Sequence, residues 1–170
     1  MSEFLIGIAV GVIATVIGFI LTMIWDAYKY RRDTKNREET IISAGGEEIE
    51  YNLETIKFNL DLLKHEIEII GQKKVLAEPL MLLQTNFWDL IKIQIPQKLA
   101  NVDALRKIRY IAQQTNQINE TLKCREDYKI NNQAMSNYHS RLKSYDELLL
   151  KFISNLEPSL NELKALIEEL

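Results

Sequence analysis

The densest grouping of residues able to bind a ligand lies between positions 123 and 143. It holds Lys123, Arg125, Tyr128, Lys129, Asn131, Asn132, Asn137, His139, Arg141 and Lys143. Guanidinium and ammonium groups hold phosphates and carboxylates, and asparagine amides read the polar atoms beside them. Arg125, Lys129, Asn131, Asn132, Asn137, His139 and Arg141 are therefore the candidate residues for a small anionic ligand or a partner. Glu126, Asp127 and Asp146 dilute that charge, and a polar link between two helices needs no further reason for being polar.

Other chemistry is sparse. His65 and His139 are the two histidines. His65 adjoins Glu66 and Glu68, but successive helical positions point apart and no second ligand stands four residues on, so no metal site is expected. Cys124 is the single cysteine, which excludes an intrachain disulfide and a thiolate zinc site and reads as a small, semi-buried apolar residue. The six glycines form no phosphate-cradling loop. No Ser, Thr or Cys has a base at recognisable spacing. Glu47, Glu48, Glu50 and Glu54 read as a solvated face. Neither enzymatic activity nor a cofactor is expected. A formal charge of -3 argues against nucleic acid, which requires a basic surface.

Thr115, Asn116 and Asn119 put polar groups on or beside a helix face that should be apolar. Buried amides need partners, and one polar residue in a seam can set register or oligomer state. Alternatively, this part of the helix borders solvent or a cavity.

These residues need elements to position them, and the apolar pattern supplies two kinds. Phe4 to Trp25 carries no charge and exceeds the roughly 20 residues a membrane-crossing helix needs. It is predicted as a transmembrane helix over 4–25, after an external tail at 1–3. Lys29, Arg31, Arg32, Lys35 and Arg37 follow it, which places the N-terminus outside and the C-terminal part in the cytoplasm of a single-pass cell-membrane protein. Trp25, Tyr28, Lys29, Tyr30, Arg31 and Arg32 would meet the membrane interface, within a basic and aromatic stalk at 26–45. Gly7, Gly11, Ala14, Gly18 and Thr22 share one face of the span, a packing surface for helix association.

From Ile49 the apolar spacing alternates four and three: Ile49, Leu53, Ile56, Leu60, Leu63, Ile67 and Ile70. Gly45-Gly46 just before it marks a kink or a break. Leu80 to Ile95 reads as a short buried helix or two helical turns, opened at Asn86, capped by Thr85 and ended by Pro96, with a brief extended stretch at Ile91, Ile93 and Ile95 as the alternative. A further helix starts at Asn101 or Asp103 and runs to about Arg125. Its inward face is Val102, Leu105, Ile108, Ala112, Thr115, Ile118 and Leu122. Met135, Tyr138, Leu142, Tyr145, Leu149, Phe152 and Leu156 face inward from the last long helix, which Pro158 kinks or restarts. The predicted class is all-α: an antiparallel bundle of three long helices and a short one over 46–170.

Leu83-x-Thr85-x-x-Trp88-x-x-Ile91, followed by Asn116-Gln-Ile-Asn119, resembles uncharacterised prokaryotic single-span membrane-anchored helical proteins. That resemblance covers about a quarter of the chain and implies no activity. The function expected is a non-enzymatic interaction or oligomerisation module, with membrane lipid and either further copies or another protein as partners. The alternatives are a ligand-gated membrane effector sensing a small anion and an accessory subunit of a larger membrane complex.

Overall fold

Helical periodicity becomes helix over most of the chain. The computed structural model describes residues 2–169, with side chains from Thr15 onward. The elements are α1 (Ser2–Ile70), α2 (Asn86–Ile93), a 3-10 turn at Gln97–Leu99, α3 (Val102–Asn131) and α4 (Tyr138–Glu168). Among the described residues there is no strand. The chain divides into two units, Met1–Thr40 and Ile41–Leu170.

In the first unit, Val16, Ile17, Phe19, Ile20, Leu21, Met23, Ile24, Trp25, Tyr28 and Tyr30 are all exposed. Among the described residues, however, no helix is long and apolar enough to cross a membrane. This overturns the expected transmembrane helix over 4–25. The single-pass, N-terminus-outside, cytoplasmic-domain arrangement built on it falls with it. Gly7, Gly11 and Ala14 lie outside the residues whose side chains are described.

In the second unit, α1 supplies Ile49, Leu53, Ile56 and Leu63 to a core shared with Ile108, Ile118 and Leu122 of α3 and Leu149, Ile153, Leu156 and Leu160 of α4. Lys164 meets Glu50 at 3.4 Å and Lys107 meets Glu162 at 2.7 Å. At the other end, Arg125 joins Glu66 to Asp146. These pairs run α4 antiparallel to both α1 and α3, so α1 and α3 are parallel to each other. The chain therefore has to return along the bundle between them, through residues 71–101.

The sequence reading holds at some boundaries and shifts at others. α2 begins at Asn86 as expected, but the Thr85 side chain makes no cap bond. The Glu48 carboxylate of α1 accepts the Phe87 N–H at 2.8 Å instead. Asn101 caps α3 by accepting from the Asp103 N–H at 2.9 Å. α3 continues past Arg125 to Asn131, and α4 passes through Pro158 unbroken. The helix is also continuous through Gly45-Gly46. Gly45 is buried because the Phe87 ring lies against the helix backbone there.

Candidate functional site

The returning chain is held by side-chain amides that imitate a neighbouring strand. Asn59 of α1 donates from Nδ2 to the Met81 carbonyl at 2.7 Å and accepts the Met81 N–H at 2.8 Å. Asn52 makes the same pair with Gln84, at 3.0 and 2.7 Å. Asn119 of α3 does so from the other side with Leu83, at 2.7 and 2.9 Å. A carboxamide carries a donor and an acceptor side by side, like a peptide unit, so one asparagine satisfies both polar groups of a residue that has no helix or sheet partner.

The helix geometry explains the spacing. Asn52 and Asn59 are seven positions apart, about 10.5 Å at the α-helical rise. Met81 and Gln84 are three positions apart, about 10 Å of extended chain. The two periods coincide, and the higher-numbered asparagine takes the lower-numbered residue, so the segment runs antiparallel to α1. Leu80 and Leu83 then enter the core, and Phe87 and Ile91 of α2 follow them. Asn52 and Asn59 are buried, as are Thr55 and Glu66. One stripe of α1 is thus apolar and the stripe beside it polar, and both face inward.

A second polar site closes the far end of the bundle. The Arg125 guanidinium donates from Nε to Asp146 Oδ1 at 2.6 Å, from Nη1 to Glu126 and from Nη2 to Glu66. Arg125 and Asp146 are 0% exposed and Glu66 2%. Glu66 also accepts the Leu76 N–H at 3.3 Å, which ties the start of the returning chain to the same cluster. Burial is the largest influence on Asp146 and pushes it up to about 6, with Arg125 pulling the other way. Burial likewise raises Glu48, against the backbone N–H groups of Phe87 and Asn86 that lower it.

The residues singled out from sequence for an anionic ligand are not brought together as one. Arg125 is internal and its three nitrogens are taken by carboxylates. Asn131, Asn137 and Arg141 are exposed, and Arg141 lies 5.6 Å over the Tyr128 ring. Asn132 donates to the Tyr128 carbonyl at 3.3 Å, one turn back on its own helix. His139 stands edge-on to Tyr138, ring centres 5.0 Å apart. Lys129 is half-buried and its Nζ has no hydrogen-bond partner.

Of the expected membrane-facing residues, Trp25 and Tyr28 have ring centres 6.3 Å apart, and they and Lys29, Tyr30, Arg31 and Arg32 are exposed. A Cβ at Gly18 would meet nothing within 4 Å, and Thr22 donates to the Gly18 carbonyl at 2.9 Å. Among the described residues, no group of His, Cys, Asp and Glu could hold a metal ion, and Cys124 is exposed rather than semi-buried.

Sequence reasoning found Asn119 as an amide in need of a partner, without finding the partner. It missed Asn52, Asn59 and Glu48. The available signal was asparagine at heptad spacing beside an intact apolar seam. No family model, curated protein or solved structure matches this chain.

Proposed function

We propose that this chain is an interaction module rather than an enzyme: a clamped helical bundle carrying a helix through which copies associate. The observation that supports this reading is the apolar side chains from Val16 to Tyr30. Phe19, Leu21, Ile24 and Trp25 are at least 60% exposed. Each large apolar side chain taken out of water contributes roughly 1.5–3 kcal/mol, and a contiguous apolar surface of this kind marks a contact surface. A second copy of the same helix is the partner that offers the same apolar surface in return. The segment that follows carries both charge signs, at Asp26, Lys29, Arg31, Arg32, Asp33, Lys35, Glu38 and Glu39, so a copy alongside it has opposite charges within reach.

A sensor of small anions has less support, because Arg125, the central cation of the candidate ligand site, serves the bundle's own carboxylates. Disulfide trapping tests association directly. In a Cys124→Ser background, Leu21→Cys is expected to give a covalent dimer on mild oxidation in aqueous buffer, while Lys57→Cys on the bundle's exposed face gives none. Equal crosslinking at both positions, or none at Leu21→Cys, contradicts the reading.

A further inference from the structure

The junction of α1, α3 and α4 holds more negative charge than positive. Glu66 from α1, Glu126 from α3 and Asp146 from α4 converge on the single guanidinium of Arg125. Lys129 adds a second cation. Its Nζ is buried without a hydrogen-bond partner, as are Asp146 Oδ2 and the Tyr128 hydroxyl. Tyr138 closes the cluster from α4, with its ring 5.8 Å from that of Tyr128. Three carboxylates therefore face two cations in a space that Glu66, Arg125 and Asp146 fill almost without solvent contact, with the exposed Arg141 guanidinium at its edge over the Tyr128 ring. Charges held out of water are poorly screened, and an uncompensated one is costly.

We propose that this junction is a proton-operated clasp: Asp146 takes up one proton on mild acidification, which balances the cluster and tightens the meeting point of the three helices. The oxygen that receives the proton is Oδ2, since Oδ1 already accepts from Arg125 Nε.

The electrostatics agree in direction. Burial holds Asp146 well above the usual carboxylate range, Glu66 pushes the same way, and Arg125 and Lys129 oppose them. Tyr138 is raised by burial and by Glu66, with Tyr128 and Glu126 adding to it and Arg125 opposing. The native state thus binds the Asp146 proton more tightly than the unfolded chain does. The contribution of Asp146 to stability therefore rises as pH falls through about 6 and levels off below 3.8, the ordinary value for the group. Most surface carboxylates paired with lysine or arginine would give the opposite slope. Glu66 ties this end of the bundle to Leu76 as well, so tightening reaches the start of the returning chain.

The test is a carboxyl-carbon NMR titration of the full chain, with thermal unfolding at about pH 7.5 and about pH 5.5. Asp146 is expected to titrate near 6, and the wild type to gain in Tm at the lower pH relative to Asp146→Asn. Glu126→Gln removes the most exposed of the three carboxylates and is expected to move the Asp146 midpoint down, because it takes one negative charge away from the cluster. An Asp146 midpoint at the ordinary carboxylate value overturns the proposal. So does a change in Tm with pH that is the same in the wild type and in Asp146→Asn. The titration uses the wild type alone, so the test stands even where a variant fails to fold.

Discussion

The Phe87 ring lies directly on the α1 backbone at Gly45, where a Cβ would fall inside the ring's van der Waals envelope. At the next position a Cβ would have only Ile167 Cγ2 for a neighbour, at 3.9 Å. Two adjacent helical glycines therefore answer differently to the same substitution. Gly46→Ala is expected to stabilise by roughly 0.5–1 kcal/mol, the helix propensity of alanine over glycine. Gly45→Ala gains the same propensity and loses more, because buried Phe87 must shift; a net cost of about 1–2 kcal/mol is expected. Urea unfolding of the two variants side by side checks this, and equal stabilisation of both would contradict the packing of Phe87 on Gly45.

How far the sequence could be read divides along the same line. The alternation of four and three from Ile49 to Ile70 marks a buried helix face, and Ile49, Ile56, Leu63 and Ile70 occupy it. The alternation from Met135 to Leu156 does the same for α4 from Tyr138 onward: Met135 is exposed and lies before the helix, Tyr145 and Phe152 are at the border of the core, and Asp146 and Ile153 are inside it. These contacts depend on local periodicity, which one helix reports by itself. The partners of Asn52 and Asn59 lie across a loop, 32 and 22 residues away, and nothing local to α1 names them. Arg125 misled for a related reason. Among lysines and asparagines it reads as a ligand residue, whereas its partners Glu66 and Asp146 come from two other helices. At the N-terminus the uncharged run from Phe4 to Trp25 reads as a span, whereas among the described residues no helix is long and apolar enough to cross a membrane.

The amide clamps have a measurable cost of removal. Asn59→Ala leaves the Met81 N–H and carbonyl without their partners, and the loss is expected to be about 2–4 kcal/mol from two unsatisfied polar groups near the core. Asn59→Asp keeps the acceptor, loses the donor to the Met81 carbonyl and buries a charge, so it should be no better. Amide hydrogen exchange at Met81 is the direct reading. Exchange in Asn59→Ala should be at least tenfold faster than in the wild type, and an unchanged rate would mean that the side chain does not hold the segment.

Arg125 is the other fixed point. Arg125→Met strands Glu66 and Asp146 in a space they fill without solvent, and a loss of about 3–5 kcal/mol is expected at neutral pH. Part of it should return when both carboxylates are replaced by amides in the Arg125→Met, Glu66→Gln, Asp146→Asn triple variant. Additive losses across the three sites, measured by denaturant unfolding, would show that the groups do not act as one cluster.

Association through the Val16–Tyr30 helix is most directly tested by the mass of the full chain in aqueous buffer, measured by sedimentation equilibrium over a range of concentrations. The expected particle contains two or more chains of 19.8 kDa. The Ile20→Asp, Ile24→Asp variant should return to one chain, because charged groups on that face cannot be buried against another helix. A wild type of one chain per particle at every concentration, or a multimer that the double substitution leaves intact, would contradict it.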